Sequence, residues 1–520
     1  MSRLSASALG QRPRPGRAIL AVRDRAGSRR RRGYERWGAM PERAAAGSSW
    51  WADDVHWYPR GTPPRRDTRV TILIDGEETF RAAWEAICQA KHTVWLADWA
   101  MTPDMELVRG KAQKALPPAQ GPRSSGYRVF DLLTAMARHA DVRVLLWSGS
   151  FIFPPRTLTA RLGLWRMRRA NPRLRGLVDR HPHLAHCHHQ KTIVVDGRIA
   201  FVGGLDMTDF DIDRWDTSAH PVRKGLNWHD VCLRLEGEAA ADVARNFSQR
   251  WQAVTGEELS LPESTGRRDD RGRAAEAGTP LQIVRTIPAG TYPFAPRGEF
   301  GIAWAYQHAL ANAARFIYLE NQYLWSPAIV NELIAALRRV EDPTFRIVLV
   351  LPAKPNIGKR DTDLHLRQLL DADEGRGRVR LFALYTRRPD VRLGWAYKPI
   401  YVHAKVAIVD DAWCTVGSAN LNQRGMEGDS ELNVQVGDAA LARELRLRLW
   451  SEHLGLPVET LATLAPHEAI DKLWVPLAGY ARGLIDGRGG DLPAHAVRYD
   501  PGAMPGDLEV GALEAGLLDA

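Results

Sequence analysis

One spacing occurs twice in this chain and limits its fold more than any other feature. His189, Lys191, Asp196, Gly203 and Gly204 lie in HHQKTIVVDGRIAFVGGLD; His403, Lys405, Asp410, Gly417 and Ser418 lie in HAKVAIVDDAWCTVGSAN. Both obey HxKxxxxDxxxxxxG(G/S). Either copy alone is moderately specific, but two copies at one spacing point to duplication of a whole structural unit. The surroundings repeat as well. A helical pattern about Trp84 leads into HTVWLADW, and another about Trp304 leads into RFIYLENQYLW. VRVLLW from Val142 and FRIVLVL from Phe345 are short, β-branched apolar runs, as buried strands require. Helices alternating with such strands predict an α/β fold. The expected arrangement is two similar lobes, each a sheet flanked by helices, related by a pseudo-twofold axis with the active site at their interface.

Charge and composition divide the chain further. Residues 1–55 are rich in Arg, Gly, Ala, Ser and Pro without a hydrophobic period, and read as a disordered basic arm. The first sixty residues hold thirteen Arg against five acidic residues, so they carry +8 of the chain's net +10. The body is nearly neutral, which disfavours a phosphate-tracking nucleic-acid groove. A polar, turn-rich stretch over 261–280 reads as a linker between an N-terminal lobe over 56–260 and a C-terminal lobe over 281–460, followed by an extension over 461–520. No apolar run approaches the roughly 18 residues of a membrane span. The Arg-rich start lacks the apolar core of a secretory signal. Cys88, Cys187, Cys232 and Cys414 form no CxxC pair and read as buried or free thiols. A cytoplasmic protein, peripheral at a membrane surface, is expected.

In a strand, residues two apart share a face, so each motif, read as lying in one, projects an imidazole and an ammonium together. The glycines permit a tight turn or close approach to an anion. Two such cups brought together suit phosphodiester cleavage, because negative charge accumulates on phosphoryl oxygens in the transition state. One imidazole can attack phosphorus while the other protonates the leaving alkoxide, and then activates water or an alcohol. Each ring needs its other nitrogen held, and Asp230 in WHD and Glu431 in DSELN are the candidates. No cofactor and no metal are required by this scheme.

The duplicated motif resembles that of the phospholipase D superfamily, over roughly Thr71 to Leu456. Further similar stretches are GGLD from Gly203, WHD from Trp228, FSQRW from Phe247, RTIP from Arg285, ENQY from Glu320 and NQRGMEGDSELN from Asn422. They are closer in character to phospholipid-acting members than to short nucleases. The resemblance implies a nucleophilic His189, with His403 as general acid and then base. It implies that Lys191 and Lys405 bind phosphate oxygens, with Asn420 adding a polar contact. Asp206 stands at Asn420's offset in the first half, where a carboxylate beside phosphate departs from a symmetric oxygen-binding role. Asp196 and Asp410, though members of the motif, look structural in this family. The partner implied is a phospholipid at a membrane surface, met by a monomer.

Blander readings compete with these. The run HPHLAHCHHQK could hold a metal, but its spacing fits no standard ligand pattern. The tryptophans, among them Trp50, Trp51, Trp57, Trp95, Trp99 and Trp325, read mostly as core rather than as an interfacial belt. Lipid docking then falls to loops or to the basic arm.

Overall fold

Seven strands recur in one order in two sheets. The first set is β1 (Thr68–Ile74), β2 (Thr93–Asp98), β3 (Asp141–Trp147), β4 (Arg175–Asp179), β5 (Thr192–Val195), β6 (Ile199–Gly203) and, after β7 (Asn227–His229), β8 (Val231–Gly237). The second half supplies β9 (Leu281–Ile287), β10 (Glu299–Phe300), β11 (Phe316–Glu320), β12 (Arg346–Val350), β13 (Val379–Asp390), β14 (Gly394–Val402), β15 (Val406–Val409), β16 (Trp413–Gly417), β17 (Glu431–Val436) and β18 (Ala496–Arg498). Sheet order β1-β8-β6-β5-β2-β3-β4 is matched by β9-β17-β16-β15-β11-β12-β13. In both series the first four pairings are antiparallel and the last two parallel. The computed structural model describes residues 56–502 apart from 117–125, 148, 150–153, 185, 210–211, 262–277 and 393. The basic arm, most of the linker and the end of the chain from 503 therefore lie outside the described residues.

Periodicity explains the layers. Helix α1 (Asp75–Cys88) buries Phe80, Ala83, Trp84 and Ile87 on one stripe against the first sheet. Its counterpart, following β9 and β10, spans Gly301–Asn312 and is buried from Gly301 to Leu310, so it is apolar nearly all round. The parallel strands β2, β3, β11 and β12 are covered on both faces, hence their largely apolar runs.

The lobes share a core between their sheets, while the first lobe keeps a second cluster under α1. One cluster joins Trp95, Val194 and Val202 of the first sheet to Val406, Val416 and Val434 of the second. It also includes Phe247 and Trp251 from the helix Glu238–Thr255, and Leu449 and Trp450 from the helix Ala439–Leu454. β7 pairs in parallel with β14, so three residues preceding the first lobe's last strand hydrogen-bond into the second sheet. No helix among the described residues is long and apolar enough to cross a membrane. Trp57, Trp95 and Trp99 are buried and Trp325 half-buried, whereas Trp50 and Trp51 lie outside the described residues.

The motif aspartates clamp the start of each central strand. Asp196 accepts the backbone N–H groups of Lys91, His92 and Thr93 at 2.8, 2.7 and 2.8 Å. Asp410 accepts those of Ala314, Arg315 and Phe316, each at 2.8 Å. Both sit at positive φ, 51° and 58°, a conformation that Asp tolerates. Asp410 is the more deeply buried, and its donor Phe316 is buried where the Asp196 donor Thr93 is only half-buried, so its loss strands a donor away from water. Asp410→Ala is expected to lower unfolding free energy by about 3 kcal/mol, and the half-exposed Asp196→Ala by about 1 kcal/mol. Guanidinium titration checks both values and their order.

Candidate active site

Each histidine–lysine pair lies in the extended segment just before β5 or β15, not within the strand itself. The cause is visible in the ladder. β2 ends at Asp98 and its pairing with β5 begins at Thr192, so the preceding residues have no strand neighbour within their own lobe. They bond across the seam instead. His189 N–H donates to Ser430 O at 2.9 Å, and His403 N–H donates to His229 O at 2.9 Å. The acceptors immediately precede Glu431 and Asp230, and those carboxylates hold the rings.

His189 Nδ1 faces Glu431 at 2.9 and 3.1 Å and the Ser418 carbonyl at 3.0 Å. His403 Nδ1 faces Asp230 at 2.6 Å. A carboxylate only accepts, so each Nδ1 carries the proton and the lone pair of a neutral ring sits on Nε2, at the opposite edge. Every one of these groups is buried. The pairing is reciprocal, because each lobe's carboxylate secures the other lobe's imidazole.

Local sequence explains how the carboxylates fit. A Cβ on Gly204 would lie 2.2 Å from Asp230 Oδ1, and one on Gly417 would lie 2.3 Å from Asn433 Oδ1. Gly204 is therefore bare to admit Asp230. Ser418, its counterpart, instead donates its hydroxyl to Glu431. Lys191 Nζ turns back to His189 O at 2.9 Å, and Lys405 Nζ does the same to His403 O.

Beyond this twofold set the halves differ. Lys191 lies 3.4 Å from Asp206 and 5.6 Å from the centre of the Trp99 ring, whereas Lys405 lies 3.4 Å from the amide oxygen of Gln322. Asp98 accepts the Met207 N–H at 3.0 Å, as Asn321 accepts the Leu421 N–H at 3.0 Å. The first lobe thus has Asp98 and Asp206 where the second has Asn321 and Asn420. Burial and the Asp206 charge push Asp98 well up; Asp206, although buried, is held down to about 2 by Lys191 and by its bond to Asp98. The two carboxyls therefore share one proton. Burial lowers Lys191, but Asp206, Asp98 and Glu431 outweigh it and leave the ammonium above its ordinary range. In the second lobe, burial followed by the charges of Lys405 and Arg214 drives His403 well below the usual imidazole value. Burial raises its partner Asp230 to about 6.

Asp98, Trp99, Gln322 and Arg214 were not singled out from sequence. The first three were within reach, since superposing HTVWLADW on RFIYLENQYLW sets Asp98 on Asn321 and Trp99 on Gln322. Arg214 was not, because the irregular chain around it has no counterpart in the repeat. It packs 4.0 Å from the centre of the Trp228 ring, and that ring lies 4.6 Å from His403.

Two histidine groups bear on metal binding. In HPHLAHCHHQK the rings of His181, His183, His186 and His188 gather at 4.9–6.1 Å between centres. His188 is engaged by Ser430 at 2.8 Å and Asp179 at 3.3 Å. Converging ligand atoms occur elsewhere: Asp75, His220, His229 and Glu452 each place one within 4.8 Å of the others, and His229, Glu320 and His453 form an adjoining group. These could hold a cation. In the protein alone they form an ion network: His229 lies 2.9 Å from Glu452 and 3.0 Å from both Asp75 and Glu320, and burial of His220 is outweighed by Asp75, Asp216 and Glu452, which raise it to about 10. His229 adjoins Asp230, so the network braces the residue that holds His403.

Comparison with known proteins finds similarity to phospholipases D. Residues 224–329 match the family model described as phospholipase D, and residues 306–451 match that of the cardiolipin synthase, PLD-like domain. Phospholipase D alpha 4 of Arabidopsis thaliana is 26% identical over 509 residues, covering 75% of this chain and 65% of that protein. Phospholipase D A of Dictyostelium discoideum is 28% identical over 503 residues, covering 79% of this chain and 37% of that protein. The chain thus spans under two thirds of either relative. A phosphatidylserine synthase of Haemophilus influenzae superposes with a TM-score of 0.46 at 13% identity, covering 73% of this chain and 84% of that one. With its motif duplicated across two matching sheets and phospholipase D models matching its sequence, the chain belongs to the phospholipase D superfamily.

Proposed function

We propose that this protein is a phospholipase D-type phosphodiesterase that hydrolyses glycerophospholipid headgroups, or transfers the phosphatidyl group to an alcohol, through a phosphohistidine. It acts as a cytoplasmic monomer, peripherally at a membrane surface. The observation that supports the reading is the reciprocal bracing of His189 by Glu431 and His403 by Asp230, which leaves each ring's Nε2 at the edge opposite the braced nitrogen.

The reaction is a double displacement. Lys191 and Lys405 hold the non-bridging phosphate oxygens and offset the charge growing on them. Nε2 of one histidine attacks phosphorus and the P–O bond to the headgroup breaks, while the other histidine's Nε2–H protonates the departing alkoxide. That second ring then takes a proton from water or an alcohol, whose oxygen attacks phosphorus as the P–N bond breaks. The products are the free headgroup alcohol with phosphatidate, or with a new phosphatidyl ester. Asn420 keeps an amide oxygen without a hydrogen-bond partner among the described residues, a polar group available to substrate.

The resemblance assigns attack to His189 and acid–base work to His403. A second order is favoured by the electrostatics, since burial and the cations about His403 stabilise its neutral, nucleophilic form. Peptide mapping of a trapped phosphoenzyme decides between them. Label on the peptide containing His189 supports the first order, and label on the one containing His403 supports the reverse.

Cardiolipin-synthase-like transfer and nucleic-acid cleavage are the rival activities. Choline release from phosphatidylcholine, with EDTA and with added alcohol, is to be measured beside cleavage of DNA and RNA; nucleic acid cut without lipid turnover rejects the proposal. His189→Ala and His403→Ala should each reduce turnover at least about a thousandfold while keeping a cooperative unfolding transition. Asp230 must be ionised to accept from His403, and it gains its proton as pH falls through about 6. Turnover should therefore fall on the acid side of that value, and a kcat/KM profile of Asp230→Asn should lack this limb at a rate reduced about a hundredfold.

A further inference from the structure

The helix Pro154–Ala170 carries apolar residues on two opposite faces. Ala160, Gly163, Leu164 and Met167 are buried, with Leu164 against Gly176 of β4 so closely that a Cβ there would come within 2.5 Å of it. Leu158, Leu162 and Trp165, spaced four and three residues apart, form a second stripe pointing away from the body. They are 68%, 52% and 56% exposed. Packing of the fold cannot account for this stripe, because the opposite side already supplies the core contact. The helix therefore pays a solvation cost that a soluble surface would avoid.

The flanks identify what would cover it. Arg161, Arg168 and Arg169 border the stripe, and among the described residues none has a carboxylate partner. Their side chains line an open groove between the helix and edge strand β4, floored by Leu164, Leu177 and Val178. The Arg169 guanidinium stacks 5.7 Å from the centre of the Trp165 ring. An outward row of Leu and Trp with unpaired arginines on its border is the pattern of a helix lying in a lipid interface, with apolar groups among acyl chains and cations at anionic headgroups. A protein partner would not call for a row of unneutralised arginines, and nucleic acid would not call for the leucines. Position agrees: Thr159 and Ala160 of this helix line a cleft with Trp99 and Trp147, and Trp99 lies 6.2 Å, edge-on, from His189.

We infer that the outward face of this helix docks the protein on a bilayer containing anionic phospholipid, delivering headgroups to the adjacent seam. This helix adds a docking element to the loops and basic arm to which the sequence points. The inference rests on the lipid-acting reading above, and the test separates the two. The full chain is sedimented with vesicles of phosphatidylcholine alone and of phosphatidylcholine mixed with phosphatidylglycerol. Two variants are compared, Leu158→Ser/Leu162→Ser/Trp165→Ser and Arg161→Glu/Arg168→Glu/Arg169→Glu, all at exposed positions. Preference for the mixed vesicles is expected, with each variant partitioning about a hundredfold more weakly and with unchanged turnover of a short-chain phospholipid dispersed as monomers. Vesicle binding lost in both variants while the parent turns over no phospholipid would support docking and remove the catalytic reading. Either variant binding like the parent would overturn the inference. So would a parent dimer that the serine variant dissociates without any vesicle binding, since the face would then join two copies of the chain.

Discussion

The reciprocal exchange of carboxylates across the seam is the constraint on which the site depends. A buried imidazole has no fixed tautomer of its own, and burial alone favours neutrality without choosing a nitrogen. Glu431 on His189 and Asp230 on His403 make that choice. Because each carboxylate belongs to the other lobe, neither half can set its own histidine. The seam must close for either to be correct, which is consistent with a core cluster that runs through both sheets. Removing one member of such a buried pair typically costs about 3–5 kcal/mol, because the other is left charged or polar without water.

Duplication supplies the frame, and departures from it supply chemical asymmetry. The aspartate clamps on β2 and β11, the lysines folded back on the histidine carbonyls and the amide bonds across the seam are matched pairs. The half-sites differ where Asp98 and Asp206 replace Asn321 and Asn420, and where Arg214 approaches Trp228 beside His403. The proposed reaction asks the two histidines to hold opposite protonation states, which needs such a difference. A strictly symmetric cup would give both rings the same proton affinity.

Behind Asp230 the chain buries a second, larger set of charges. His220, His229 and His453 are interleaved with Asp75, Asp216, Glu320 and Glu452, contributed by segments far apart in sequence. Burying so many ionisable groups is costly unless each is paired, and here the pairing brings α1, β7, β11 and the helix Ala439–Leu454 to a single point. The ligand atoms of Asp75, His220, His229 and Glu452 converge at that point, one residue behind the carboxylate that holds His403.

Much of this was legible before folding. Repetition of HxKxxxxD, with an equivalent helix and strands ahead of it, specified the α/β class and the two similar sheets, because side-chain periodicity and the spacing of a motif are local properties of the chain. Asp230 and Glu431 stood out as carboxylates near the motifs, but nothing in the sequence stated that each would cross to the opposite histidine. Nor did the sequence place His and Lys ahead of their strands, gather the buried histidine network, or turn Leu158, Leu162 and Trp165 outward. An apolar helix stripe reads alike whether it meets core or solvent. The sequence by itself determined which groups are present and how far apart they lie along the backbone. Only the tertiary structure decided which of them share water-free space, and it is the loss of water that sets their proton affinities and their pairing.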